Sequence, residues 1–433
     1  MCGIAGFLDA GGRCASPEAV LKRMTRALIH RGPDAEGYWF DPGTGVALGH
    51  RRLSILDLSA AGSQAMISAS GRYVISYNGE IYNFLRLREM IERAGSMFRG
   101  RSDTEVLLAA IEQLGIGAAV KQLVGMFAFA LWDRRDRELW LCRDRLGKKP
   151  LYYGQVEGAL VFGSELKALR AFSGFSPDVD RDALTLYLRH NYVPAPRSIY
   201  VGIRKVVPGH LLRFKLDDRQ KLAETEEKYW SAAEVVQRGA TDKLPVDSLD
   251  VEDQLDTLLR DAVAIRMISD VPLGVFLSGG IDSSLVTAMM QAQSTKPVLT
   301  FTIGFEETRY NEADFARQIA THLGTSHTEV YLSPRDALDV IPRLPELYDE
   351  PFADSSQIPT FLVSQVARRH VSVALAGDGG DELFCGYNRY MWWRQIWGAV
   401  GRMPVAMRRA LAAGLTAVPA RAWDRVLNPL SGV

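Results

Sequence analysis

Cys2 lies directly after the initiator methionine and before Gly3. A small second residue favours removal of Met1, which places a thiol and a free α-amine on one residue. The amine's unperturbed pKa of about 7.7 to 8.0 lets it accept the thiol proton near neutral pH. Such a residue is nucleophile and base at once, able to attack an amide carbon, form a thioester and release ammonia. A second chemistry is written in Ser278-Gly279-Gly280-Ile281-Asp282-Ser283-Ser284, which follows the apolar run PLGVFL. Small residues between a strand and a helix let backbone N–H groups close round a phosphate, and the helix N-terminus favours its charge. The run lacks the Gly-Lys-Ser/Thr ending of a Walker loop. A third run, Ala376-Gly377-Asp378-Gly379-Gly380-Asp381-Glu382, also follows an apolar stretch. Asp282 and Asp381 offer the hard oxygen ligands that Mg²⁺ takes beside phosphates.

Two kinds of scaffold are needed to hold these groups. The first part reads as short strands with few helices: Tyr73 to Tyr77, Gly125 to Trp132, Glu138 to Cys142 and Leu151 to Tyr153. Ser16-Pro17-Glu18 predicts a capped helix start with Leu21, Met24 and Leu28 on one face. Ser102 predicts a cap for a helix running through Leu114 to a stop at Gly115. Packed sheets follow from this pattern. From about Leu258 strands and helices alternate: strands at Val271–Leu277, Val298–Phe305, His327–Leu332 and Val371–Ala376, helices at Leu285–Gln291 and Glu312–Leu323. That rhythm predicts a parallel sheet with helices on both faces, and ligands gather beyond the carboxyl ends of such strands. Both glycine-rich acidic runs sit at such ends and should face one crevice. A stretch rich in Pro and Gly, then a charged run, marks the junction. The expected domains are 1–200 and 225–433, with a linker at 201–224.

Among the 433 residues, Lys+Arg and Asp+Glu both number 51, with 47% hydrophobic and 24% charged residues. The balance gives no electrostatic case for nucleic acid or an anionic membrane as partner. Four cysteines without metal spacing suit a reducing cytoplasm. No apolar run is long enough to span a bilayer, and the start lacks the features of a signal peptide.

MCGIAGF at the start, HRGPD at 30–34, GHRRLSILDLS at 49–59, YNGEIYNF at 77–84, RSDTE at 101–105 and RDRLGKKPLYY at 143–153 occur in order. Together they resemble the class II glutamine amidotransferase domain fused to asparagine synthetases. The run at 278–284, the run at 376–382 and DEPFADSSQIPTFLVSQVAR from Asp349 resemble its ATP-pyrophosphatase synthetase domain. The resemblance implies an αββα sandwich of the N-terminal nucleophile type, then a parallel-sheet α/β domain. It implies Arg52 on the glutamine α-carboxylate, Asp103 on the α-ammonium, and Asn78 with the Gly79 N–H as oxyanion hole. Leu53, Ser54, Ile55, Leu56 and Glu80 fall in the matching substrate-contact segments. Leu277 and Ile303 would line the adenine pocket, with Ser278, Gly279, Gly280, Asp282, Ser283, Ala376 and Gly377 around ATP. Mg²⁺ would sit on Asp282 and Asp381, and Asp378 would serve the acyl-adenylate. The implied reaction joins ammonia from glutamine to aspartate with consumption of ATP, ammonia passing inside the protein. A homodimer is compatible with the resemblance.

Three departures bear on these expectations. Asp378 stands where many relatives have glutamate, and Cys385 where glycine is usual. The family's synthetase domain continues further, with a lysine in its later helices that has no counterpart before Val433. The chain is therefore expected to be a fragment or a shortened homologue, with Trp392–Val433 forming helices that present an exposed apolar surface. An amidotransferase acting on another carboxylate, or a chain with glutaminase activity only, are the alternatives.

Overall fold

The computed structural model describes residues 1–216, 222–244, 249–305, 312–419 and 422–423. Among the described residues, sixteen strands run in chain order: β1 (Gly3–Leu8), β2 (Ala35–Asp41), β3 (Val46–Arg52), β4 (Met66–Ile67), β5 (Tyr73–Ile81), β6 (Gly125–Asp133), β7 (Glu138–Arg143), β8 (Tyr152–Val156), β9 (Ala159–Gly163), β10 (Ile203–Lys205), β11 (His210–Leu216), β12 (Leu222–Lys228), β13 (Leu273–Phe276), β14 (Leu299–Phe305), β15 (Ser326–Leu332) and β16 (Val373–Leu375).

The first twelve form two six-stranded antiparallel sheets, ordered β10-β8-β9-β1-β3-β2 and β12-β11-β7-β6-β5-β4. They stack face to face between helices. Alternation along β6 explains its almost wholly apolar sequence, since successive side chains point to opposite faces. Phe127, Phe129 and Leu131 pack under the helices Phe84–Arg93 and Asp103–Leu114. Ala128, Ala130 and Trp132 fill the space between the sheets with Ile4, Leu8, Val46 and Leu48. On the outer side, Ala5 and Phe7 pack against Val20, Leu21 and Met24 of the helix Pro17–Arg26, with Leu28 just beyond its end. This is the expected αββα sandwich. Ser102 caps its helix, accepting from the Glu105 N–H at 3.3 Å. The Ser16 hydroxyl, expected to cap the earlier helix, makes no capping hydrogen bond; Pro17 and Glu18 start that helix without it.

Residues 203–216 and 222–224 of the expected linker, and 225–228 of the expected second domain, belong to the first unit. β10 pairs with β8, β11 pairs with β7, and β12 closes the sheet edge; residues 217–221 of the expected linker lie outside the described residues. The charge that suggested a linker belongs to β12, whose Ala223–Lys228 stretch is exposed, as suits an edge strand. The second unit begins beyond it.

β13 to β16 form a parallel sheet ordered β15-β14-β13-β16. Val263, Met289 and Met290 pack on Val275 from one face, while Val366 and Ala367 pack with Phe301 and Phe276 on the other. The chain leaves β13 toward β14 on one side and returns as β16 on the other, so the switch point falls between β13 and β16. The helix Asn388–Val400 buries none of its residues, and Trp392, Trp393, Ile396 and Trp397 are exposed, as expected. Of the rest of that expectation, the helix Val405–Ala417 is formed and residues 420–421 and 424–433 lie outside the described residues.

Candidate active site

Cys2 sits one residue before β1, where β1 pairs with the end of β3. It lines a cavity of about 330 Å³ together with Arg52, Leu53, Ile55, Leu56, Tyr77, Asn78, Gly79, Glu80 and Asp103. The Leu53 N–H points to Cys2 Sγ at 3.4 Å. Burial pushes the thiol pKa up, and that hydrogen bond opposes it. Asn78 is wholly buried on β5, and neither its Nδ2 nor its Oδ1 has a protein partner. A buried amide left unpaired in this way is costly unless something in the cavity engages it. Gly79 lies close against the backbone of β6: a Cβ there would lie 2.4 Å from the Met126 carbonyl oxygen.

Asp103 opens the helix after Ser102 and turns into β5. Its Oδ2 accepts from the Tyr77 hydroxyl at 2.7 Å and the Ile81 N–H at 2.9 Å. Burial raises its pKa against these bonds. Glu80 is pushed up to about 7, by burial first and the Asp103 charge second. Lys149, from the RDRLGKKPLYY run, is brought down to about 8, mainly by burial. It reaches the Met1 sulfur at 2.7 Å.

Arg52 is buried and its guanidinium donates to the carbonyls of Leu56, Asp57 and Ser59, at 3.4 Å for Leu56 and 3.1 Å for Ser59. It thus shapes the 53–59 loop while facing the cavity. Among the described residues it has no carboxylate partner within ion-pair distance. Ser54 does not line the cavity; its N–H is held by Asp34 at 2.8 Å. His50 is buried and its Nε2–H donates to the Tyr77 carbonyl at 2.9 Å, with a pKa brought down to about 3 by burial, so it is neutral.

The second set of groups meets beyond β13 and β16. Ser278 Oγ and Ser283 Oγ lie 2.9 Å apart, and the Ser278 N–H points to Ser283 Oγ at 3.2 Å. Gly279 has φ +84°, which lets the chain turn sharply into the helix Ile281–Ala292. The other loop packs onto this one: a Cβ on Gly377 would lie 2.7 Å from the Ser283 nitrogen, and one on Gly380 2.3 Å from Asp282 Oδ2. The two loops, expected from the sequence to face one crevice, lie against each other. Asp378 is exposed and Asp381 partly so. Leu277 is buried against Ala316 and Ala320, and Ile303 packs on the neighbouring strand beside Leu332. Among the described residues no cluster of three or more acidic, His or Cys side chains is set to hold a metal. Two carboxylates completed by phosphate oxygens are the usual Mg²⁺ arrangement, and Asp282 and Asp381 fit it in chemistry.

A glutamine amidotransferase domain family matches residues 1–230, and an asparagine synthase family matches residues 254–430. Glutamine-hydrolysing asparagine synthetase 1 of Bacillus subtilis is 38% identical over 393 residues, covering 90% of this chain and 59% of that protein. A provisionally named glutamine-hydrolysing asparagine synthetase 2 of Methanocaldococcus jannaschii is 37% identical over 411 residues, covering 90% of this chain and 76% of that protein. The chain belongs to the glutamine-hydrolysing asparagine synthetase family. It spans only 59% of the length of the Bacillus subtilis relative. Among solved structures, glutamine phosphoribosylpyrophosphate amidotransferase of Bacillus subtilis aligns with 76% of this chain and 81% of that one, at TM-score 0.40 and 15% identity, a distant likeness.

Several cavity residues escaped the sequence reading of this asparagine synthetase family member. Tyr77 and Lys149 lie inside quoted motif runs and could have been found there. Gln64, which accepts from the Tyr77 N–H at 2.7 Å, lies outside every run. Ser372, Val373 and Ala374 come from the other half of the chain and close the cavity's far side. The two halves are also pinned at the 53–59 loop: the Asp270 N–H donates to the Ile55 carbonyl at 3.0 Å, and Asp270 Oδ2 accepts from the Asp57 N–H at 2.8 Å. No local pattern announces such contacts.

Proposed function

We propose that this chain hydrolyses glutamine at Cys2 and passes the ammonia to an aspartyl-adenylate made from L-aspartate and ATP. The products are L-asparagine, glutamate, AMP and pyrophosphate, with one water consumed. One observation carries the reading. The cavity that gathers Cys2, Asn78, Gly79 and Asp103 is walled by β16, whose carboxyl end carries the Ala376–Asp381 loop. In this reading ammonia released at the Cys2 cavity passes along that strand to the second site.

In this reading the Cys2 thiol gives its proton to the α-amine freed by loss of Met1 and attacks the side-chain amide carbon of glutamine. The Asn78 amide and the Gly79 N–H stabilise the oxyanion, as preorganised donors do. Asp103 receives the substrate α-ammonium, and Arg52, with the loop it holds, receives the α-carboxylate. The thioester then yields glutamate to water. At the second site the 278–284 loop cradles the phosphates. Mg²⁺ would be held by Asp282 and Asp381, supplying charge neutralisation at the phosphates. Asp378 serves the adenylate. All four cysteines are free, which fits a reducing cytoplasm, and among the described residues no helix is long and apolar enough to cross a membrane.

The test measures pyrophosphate, glutamate and asparagine with ATP, Mg²⁺ and glutamine, with and without aspartate. Aspartate-dependent pyrophosphate together with asparagine is expected. Glutamate without aspartate-dependent pyrophosphate would overturn the acceptor and leave only the Cys2 reaction.

A further inference from the structure

β1 begins at Gly3, so strand pairing does not fix Cys2. Among the described residues its sulfur has only long hydrogen-bonding contacts, with Leu53 at 3.4 and 3.6 Å. What grips its backbone is Arg31, whose Nε donates to the Cys2 carbonyl at 2.9 Å. Arg31 is itself steered from elsewhere. Its Nη1 meets Glu165 Oε1 at 2.6 Å, while its Nη2 is buried without a partner. Glu165 Oε2 meets Lys167 Nζ at 2.6 Å. Lys167 then reaches into the second half of the chain: its Nζ lies 3.3 Å from Asp349 Oδ1, and its N–H donates to Asp349 Oδ2 at 2.7 Å.

The four side chains alternate in sign and are 8%, 15%, 21% and 6% exposed in that order. In such surroundings each charge depends on its neighbours, and loss of one leaves the next unpaired. Burial works against ionisation of Glu165, but His30, Arg31 and Lys167 outweigh it and hold its carboxyl well below the usual range. The chain of charges is therefore continuous from Asp349 to the carbonyl of the nucleophile.

We propose that Asp349 is a positioning residue for Cys2, acting through Lys167, Glu165 and Arg31 so that docking of the second domain sets the nucleophile in place. This rests on the Cys2 part of the function proposed above. Without Asp349, Lys167 turns wholly to Glu165, Glu165 shifts from Arg31, and the Cys2 carbonyl loses its directed donor. The neighbouring Glu350 provides the internal comparison. It clamps the same loop through Lys205 at 2.5 Å, the Tyr152 hydroxyl at 3.1 Å and the Ile199 N–H at 2.8 Å, none of which leads to Cys2.

The experiment compares steady-state glutamine hydrolysis by the full chain and by D349N, E165Q, the double variant and E350Q. A small displacement of a reacting group lowers kcat by about tenfold to a hundredfold. D349N and E165Q are each expected to lose that much in kcat with KM for glutamine within about twofold, and the double variant to lose no more than the worse single. E350Q is expected to stay within about threefold of the parent, since its contacts bypass Cys2. If D349N keeps its kcat, if D349N and E165Q multiply, or if E350Q loses as much as D349N, the positioning role is refuted. If the unmodified chain makes no glutamate from glutamine, the Cys2 reading itself fails, which is a separate result.

Discussion

Replacing Glu80 by glutamine should make the protein progressively more stable than the parent as pH rises, and the size of the effect can be worked out. In the folded protein the Glu80 carboxyl is pushed from 4.5 to about 7 because burial and the Asp103 charge penalise ionisation. In the unfolded chain it ionises near 4.5. A raised folded pKa means that this group's contribution is fully present below the unfolded value. It is lost as pH climbs through the folded one. Between pH 5 and pH 8.5 the loss amounts to about 2.5 kcal/mol. A side-chain amide cannot ionise, so the E80Q variant escapes it. The difference in unfolding free energy between E80Q and the parent should therefore grow by about that amount across the window, whatever constant offset the amide introduces. For a domain of this size the corresponding gain in Tm is about 5 to 10 °C. Thermal unfolding followed at half-unit pH steps measures it. Parallel Tm–pH curves for parent and variant would refute the reasoning, because they would mean that Glu80 carries its charge at no cost.

Asn78→Ala removes the unpartnered donor at the cavity and should lower kcat for glutamine hydrolysis by about a hundredfold to a thousandfold with little change in KM, read from initial rates of glutamate formation. Cys385 adopts φ +58°, a left-handed conformation that favours glycine, so Cys385→Gly should raise stability by about 1 kcal/mol in a denaturation series. Gly377→Ala would force a methyl group against the Ser283 nitrogen and the Asp282 carbonyl carbon, so ATP-dependent pyrophosphate release should fall at least about tenfold while glutamate production persists.

The sequence was most legible where function lies in short runs. Cys2, Arg52, Asn78 and Asp103 could be named from motifs, and the structure gathers them on one cavity. The parallel sheet could be read from its rhythm because buried strands are continuously apolar and helices intervene. Edge strand β12 was missed because its exposed charges look like those of a linker. The contacts of Asp270, Asp349 and Ser372–Ala374 with the first half were missed for a different reason. They join residues more than a hundred positions apart and leave no periodic or compositional trace. The usual glycine at position 385, noted from sequence, has its physical reason in the backbone angle there.

The strand β16 closing the far side of the Cys2 cavity has a practical consequence for anyone wishing to cut the protein. A graft ending near residue 230 would carry every motif of the first half, yet its Cys2 cavity would lack the Ser372–Ala374 part of its lining. Motif boundaries and chamber boundaries do not coincide here, and transplantation would have to follow the latter.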